Sequence, residues 1–486
     1  MKLFGFEIRK VKDKRTYNAG AINRLFADWV LSYKTADEEI KYNLKVMRAR
    51  ARNLVINNDY ARKFKKMVGI NVVGPKGIQL QSKVKDTNGQ LDKDANDKIE
   101  AAWNEWNKKG NYDVTGTLSG LDGQRLFIET VAVDGEVIIR KVRGFDNPFG
   151  FALQFIEADH LDIDLNKELS NGNTIRMGIE FNKWNRPVAY HILTKHPGSS
   201  SIGGKHERIP AEDIIHAYIK ERITQSRGVP WLHSAMTRLQ HIGAYEEAEV
   251  VASRAAAAKM GIIKTPTGTE YTGDAEDEKG NIITELEPGV IEQLPKGWDF
   301  ELINPTHPAG NFQPFMKSVL RGIASGLLVS YNSLAGDLES VNYSSIRAGF
   351  LEERDCWRVI QTWMIDNYCN EIFSDWLKMS MLTGAVDLPI AKFDKFAAPQ
   401  WQPRTWAWVD PLKDAYADVI ALENGLTSRT ELAAEDGKDF EELLIQLQHE
   451  KELMSKYGLS FQKLSGQKNI EVEKILIGNN GDKTEF

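Results

Sequence analysis

Between Pro230 and Gly261 the chain encodes a long helix that cannot build a core of its own. Pro230 suits a first helical turn, where its fixed φ is already right and its missing N–H has no partner to lose. Ala244, Ala248, Ala252 and the run Ala255 to Ala258 then fill the interior before Gly261 ends it. Alanine is the strongest helix former, so the helix forms readily, yet a face of small side chains buries little apolar area. Small residues permit close backbone approach. The helix is therefore expected to pack tightly on other helices, those of neighbouring copies included, although a surface helix with an incidental alanine run satisfies the same pattern.

The flanks supply what this helix lacks. From Asp37 to Lys66, Ile40, Leu44, Met47, Ala51, Leu54 and Val55 recur at three- and four-residue steps with Arg48, Arg50 and Arg52 between them, which predicts a basic amphipathic helix. A second helix is expected over Asp92 to Asn107, with Ile99, Trp103 and Trp106 on one face. Val131, Val133, Val137 and Ile139 alternate around Asp134-Gly135 and predict a hairpin; short strands follow at 155–164, 178–183 and 188–193, so 116–218 reads as one β-rich unit. Beyond the alanine helix come strand-like pieces over 262–305, a helix from Phe312 to Leu328, a polar loop from Ser330 to Tyr343, and a long helical face from Ser344 to Met381. The stretch Pro399 to Pro411 breaks to a final group of helices and a polar tail. The expected fold class is α+β.

Charge is segregated along the chain. Residues 1–66 hold 17 Lys/Arg against 7 Asp/Glu, whereas 262–305 hold 3 against 10 and 410–486 hold 9 against 16. One basic end and two acidic segments suggest separate partners for separate surfaces. With a net charge of −6 the whole molecule is not a simple basic nucleic-acid binder, and two cysteines, Cys356 and Cys369, exclude a disulfide scaffold. Glu7, Arg9 and Lys10 stand where a secretion signal needs apolar residues, and no apolar run is long enough to span a bilayer, so synthesis in a cytoplasm without membrane insertion is expected. No Gly-x-x-x-x-Gly-Lys-Ser/Thr loop, His-Glu-x-x-His or Gly-x-Ser-x-Gly occurs. The acidic cluster Glu157, Asp159, Asp162 and Asp164 reads as a solvated strand end rather than a metal site, and neither a catalytic residue nor a cofactor is expected.

Three places carry a family resemblance: Asn58-Asp59-Tyr60-Ala61 through Val73-Gly74; Arg227-Gly228-Val229-Pro230-Trp231-Leu232 entering the alanine helix; and Gly326 to Tyr331 followed by Asn342 to Ala348. With Gly425-Leu426-Thr427-Ser428, these resemble the lambda-type portal family of tailed bacteriophages over roughly residues 20 to 450. The resemblance implies a structural, non-enzymatic protein of the virion. Such a protein forms a dodecameric ring at one capsid vertex, assembled in the host cytoplasm, as the channel for genome packaging and DNA ejection. It implies a wing over 1–228, stem helices over 229–261 and 307–329, a clip over 262–306 and a tunnel loop over 330–343. The wing's long helix would then cover 344–410, a crown 411–465 and a flexible tail 466–486.

By the same resemblance, Asn332, Ser333, Asp337, Glu339 and Asn342 would face double-stranded DNA, and Ala248, Ala252 and Ala256 would pack the stems. Asp274, Glu276, Asp277 and Glu278 would lie on the clip, where the terminase large subunit and the head–tail connector dock, while major capsid and scaffolding proteins would meet the ring elsewhere. DNA sliding through a channel must not be held by many cationic contacts, since each adds affinity; acidic circles of Asp337 and Glu339 would meet that need. A separate reading of the basic stretch is a duplex DNA-binding protein acting through Arg48 to Lys66.

Overall fold

The computed structural model describes residue 24 and residues 33–199, 204–257, 312–339, 343–406, 411–435 and 440–458, with strand segments at 2–3, 6–7, 261–264, 275–276, 282–283 and 299–302. β1 (Lys2–Leu3) pairs with β2 (Phe6–Glu7). α1 (Ala36–Asn57) starts at Thr35, whose hydroxyl accepts from the Glu38 N–H at 3.3 Å; Asp37, Glu38 and Glu39 in the first turn favour the positive end of the helix dipole. The single basic helix expected to Lys66 divides at Asn58, which takes an extended backbone and accepts from the Ala61 N–H at 3.0 Å to cap α2 (Asp59–Val72). A short amide that bonds its own neighbours outweighs the continuous apolar period.

α3 (Lys93–Trp106) matches its expected span. The hairpin at Asp134-Gly135 is corrected: α4 (Gly120–Asp134) opens on a Ser119/Asp122 capping box and closes on Gly135 at φ 88°. Phe127, Ile128, Val131 and Ala132 form its buried face, so the valines before the dipeptide obey a helical period. β4 (Glu136–Arg143) follows directly and is the central strand between β5 (Phe151–Ile156) and β11 (Ile214–Tyr218), all antiparallel. The strand expected to Asp164 ends at Ile156, and a 3-10 turn covers Ala158–His160. A second antiparallel sheet runs β10 (His206–Pro210), β9 (Pro187–Leu193), β8 (Ile179–Phe181), β7 (Thr174–Arg176), β6 (Lys167–Glu168).

A 3-10 turn at Trp231–Ser234 separates Pro230 from α5 (Met236–Ala257), so the alanine-rich helix begins later than its proline. β12 (Gly261–Lys264) pairs with β15 (Asp299–Leu302), and β13 (Ala275–Glu276) with β14 (Ile282–Ile283). α6 (Phe312–Gly326) then leads to α7 (Tyr331–Ala335), a turn of helix inside the segment expected to be loop. α8 (Tyr343–Met364) runs through a π-turn at Ile365–Cys369 into α9 (Asn370–Thr383); the extra residue of the π-turn brings both Tyr368 and Cys369 into the core. After α10 (Phe393–Phe396), β16 (Pro399–Gln402) pairs with β3 (Gln79–Ser82) and ties the late chain to the early one. α11 (Pro411–Glu423), α12 (Arg429–Glu435) and α13 (Phe440–Tyr457) follow.

The result is an α+β fold with open antiparallel sheets. One core joins α1–α4, the β4 sheet, the roots of α5 and α6, and α8–α9. Its centre is aromatic: Trp103 meets Trp376 edge-on at 4.9 Å between ring centroids, with Trp106, Phe373 and Trp401 around them. Edge-on packing sets the positive rim of one ring against the negative face of the next.

Candidate functional site: the root of α5 and the loop after α6

Arg227 opens the Arg227-Gly228-Val229-Pro230 string and is fully buried. Its guanidinium donates to both Glu136 oxygens, with Nε at 2.9 and 3.0 Å, and to the carbonyls of Leu161 (3.1 Å), Met177 (2.9 Å) and Ala158 (3.3 Å). Glu136 also accepts from Arg48 at 2.8 Å, from His216 at 3.0 Å and from the Gly228 N–H at 2.8 Å. Burial alone would raise the Glu136 carboxyl, but Arg227, the His216 hydrogen bond and Arg48 together hold it well below the usual carboxylate range. Burial lowers His216 in spite of Glu136, so this imidazole is neutral and donates from Nε2. Gly228 and Gly135 touch backbone to backbone: a Cβ on Gly228 would lie 2.1 Å from the Gly135 carbonyl oxygen. The string thus clamps the end of α4 and the start of β4 to the turn that launches α5.

Above this root, Met236, Leu239 and Ile242 of α5 are buried, and the helix then emerges from the core. Tyr245 stacks on Phe312 at 5.6 Å, and the Tyr60 hydroxyl donates to Glu246 at 3.1 Å. Burial, with Glu246 beside it, pushes Tyr60 up to about 12. Further along, Val250 and Val251 are more than half exposed.

α6 returns to the same core and hands over to the loop. The Ser330 hydroxyl accepts from the Ser333 N–H at 3.1 Å and caps α7, while the Ser330 N–H donates to Glu353 at 3.0 Å. Glu353 also receives the Trp357 indole N–H at 3.1 Å, which fixes the start of the loop to α8. Gly336 ends α7 at φ 71°, close to Lys63 of α2. Asp337 then accepts from the Glu339 N–H at 2.9 Å and the Tyr331 hydroxyl at 2.8 Å, and Lys317 of α6 lies 3.2 Å from it. Glu339 accepts from Gln313 at 3.2 Å and lies 3.4 Å from Lys317. The backbone N–H of Glu339, the Tyr331 hydroxyl and Lys317 lower the Asp337 carboxyl.

Asp337 and Glu339 are therefore not bare carboxylates: Lys317, which sequence reading missed, neutralises one charge of the pair. Asn332 and Ser333 lie in α7, half-buried. Ala248 is exposed on α5 and Ala252 half-buried; the Ala256 side chain, Asn342, Asp274, Asp277 and Glu278 lie outside the described residues, and Glu276 is described only as a strand position opposite Ile282. Part of the basic stretch turns inward, while Arg50, Arg62 and Lys63 stay exposed. Arg48 is buried on Glu136 and Asp159, Arg52 grips Asp134 at 2.8 and 2.7 Å and Asp159 at 2.5 Å, and Lys65 and Lys66 meet Glu129 at 3.3 and 3.0 Å. Asp159 accordingly faces two arginines rather than solvent. Glu157, Asp159 and His196 come close enough to share a cation, but those guanidiniums already occupy Asp159. Periodicity could not reveal these pairs, because their members stand far apart along the chain.

Residues 23–361 match the family model described as phage portal protein, lambda family. The chain is 36% identical over 456 residues to the probable portal protein of Halomonas phage phiHAP-1, covering 92% of this chain and 88% of that one. It is 22% identical over 469 residues to the portal protein of Escherichia phage N15 (86% of each) and 21% identical over 457 residues to portal protein B of Escherichia phage lambda (86% and 85%). Similar solved chains come from the neck of an empty gene transfer agent particle, computed with C6 symmetry (TM-score 0.43, 12% identity, 80% of this chain and 93% of that), and from the virion of a native particle (TM-score 0.42, 12% identity, 82% and 93%).

Proposed function

The chain belongs to the lambda family of phage portal proteins, and from that premise we propose that it forms a dodecameric ring at one capsid vertex, through which DNA is packaged and ejected. The observation that carries the reading is the upper half of α5, where Ala248, Val250 and Val251 are exposed on a helix whose root is locked into the core. A single chain leaves these residues uncovered on more than one side of the helix, and a head-to-tail interface that closes on itself, with a neighbour on each side, covers them in every copy. Residues 236–257 and 312–326 act as stem, 1–228 with the long helix after Tyr343 as wing, and 411–465 as crown.

The loop over 330–343 faces the DNA. Asp337 and Glu339 against Lys317 leave a net negative charge in each subunit, so the ring repels phosphate while Asn332, Ser333 and Asn342 offer weak neutral contacts. The acidic segment containing Asp274, Glu276, Asp277 and Glu278 docks the terminase large subunit during packaging and the head–tail connector afterwards. The role is structural, in the virion.

Particle mass and negative-stain images of the purified chain test this reading, with Ala252→Trp as the probe. The parent is expected to give rings with a central hole, and the variant is expected to remain monomeric with an unchanged melting temperature, since an indole overpacks a close helix contact. Normal ring assembly by the Ala252→Trp variant would refute the stem interface.

A further inference from the structure

α1 carries two apolar faces. Ile40, Leu44, Ala51 and Leu54 are buried in the core. Tyr42, Val46, Ala49 and Ile56 are exposed, Tyr42 at 68%, Val46 at 48% and Ile56 at 72%, with only Asn53 interrupting their run of four- and three-residue steps. At about 100° per residue these positions fall within a sector of about 80°, centred opposite the core face. Scattered exposed apolar residues need no partner, but a stripe at this spacing is the seam against which a second helix packs.

The chain enters α1 from this side. Lys34, two residues before the helix, reaches over the Tyr42 ring, with Nζ 5.4 Å from its centroid. The Lys34 carbonyl accepts from Arg222 at 3.2 Å, and Arg222 pairs with Glu39 at 2.5 Å, so the point of entry is fixed. Upstream of Tyr33, only Arg24 and the β1–β2 pair belong to the described residues. In that upstream stretch Ile22, Leu25, Phe26, Trp29 and Val30 recur at three- and four-residue steps, which predicts an amphipathic helix over 21–30. Arg24 falls on its polar side and is exposed.

We propose that residues 21–30 form a helix that folds back antiparallel on the outer face of α1, with Leu25 and Phe26 beside Tyr42 and Ile22 beside Val46. The lengths agree: ten residues rise about 15 Å, the same as from Ala36 to Val46. Residues 31–35 can span up to ~17 Å, more than the about 8–10 Å between packed helix axes. So short a tether keeps the segment at high effective concentration over its own α1, an advantage no second copy shares. Asn53 and Ile56 lie beyond its reach. The inference concerns a single chain and does not rest on ring formation.

Hydrogen exchange of the full chain, read by mass spectrometry on peptides covering 21–30, tests it. These amides should exchange at least about tenfold more slowly than in an unstructured peptide. Tyr42→Asp with Val46→Asp, both at exposed positions, should abolish that protection while α1 itself stays protected. If that pair fails to fold, Phe26→Asp with Trp29→Asp, from the other side of the contact, carries the same expectation. Ile22→Cys with Val46→Cys, in a Cys356→Ser background that leaves only the buried Cys369, should be joined within one chain by a short bismaleimide. Chains carrying either cysteine alone should not link when mixed. The proposal is overturned if the 21–30 amides exchange at the unstructured rate, or if their protection survives in the folded Tyr42/Val46 variant. It is also overturned if the cysteines link only between chains, which would give the face to a second copy.

Discussion

Replacing Arg227 with Met removes a fully buried guanidinium from the junction of β4 with the turn that launches α5. Glu136 stays buried but keeps Arg48 and His216, so its charge is not wholly orphaned. Breaking a buried ion pair costs about 3–5 kcal/mol, and the carbonyls of Leu161, Met177 and Ala158 each lose a donor at about 1 kcal/mol or more. Retained partners reduce the first figure and lost donors add to it, so a net loss of about 4 kcal/mol is expected. A unit of about 200 residues shifts by roughly 2–4 °C per kcal/mol, which gives a fall in melting temperature of about 8–16 °C. Circular-dichroism melts of the full chain at neutral pH measure it. Arg227→Met combined with Glu136→Leu should melt well above the temperature expected from adding the two single losses, because the double change leaves neither charge of that pair unpaired. A single variant that melts within about 2 °C of the parent, or a strictly additive double, would refute the assignment of this pair as the joint.

Three further outcomes follow from the same geometry. Folded His216 titrates below its ordinary 6.5, so its contribution to stability is complete above that pH and is lost as pH falls through 6.5 toward the folded value. Urea melts at pH 7.5 and 5.5 should show the loss, reduced in His216→Gln, with His191, also lowered by burial, accounting for a remainder. Glu136 cannot explain that window, because its lowered carboxyl matters only below 4.5. Gly228→Ala should destabilise the chain severely, since its Cβ meets Gly135 backbone rather than a side chain that can move; a melt like the parent's would contradict the close approach. Lys317→Gln should speed hydrogen exchange of the Glu339 amide by releasing Asp337 and Glu339 from α6, and unchanged exchange would mean that the backbone alone holds the loop.

The family was legible in short strings, and the structure gives one of them a physical meaning. Arg227-Gly228 fits its place because a bidentate cation and a residue without Cβ are both needed where α4, β4 and the turn before α5 meet. Its partner Glu136 drew no notice, because an acid at the start of a strand looks ordinary until burial makes it costly. The loop was legible as polar and acidic, but its anchors Lys317 and Glu353 lie on the helices before and after it.

Local features carried what local physics controls. Capping residues, a 3.6-residue apolar period and alanine content act within a few positions, so α1, α3, α6 and the run from α8 through α9 could be placed from the amino-acid sequence by itself, as could the unpartnered character of α5. Only the tertiary structure decided that Asp134-Gly135 ends a helix, that Arg48 and Arg52 of α1 are spent on Glu136, Asp134 and Asp159, and that one lysine restrains the acidic loop. The reason is the range of the interaction. A charge count records how many ionised groups a segment holds, whereas what they do depends on burial and on partners brought in by the core from some eighty to more than two hundred residues away.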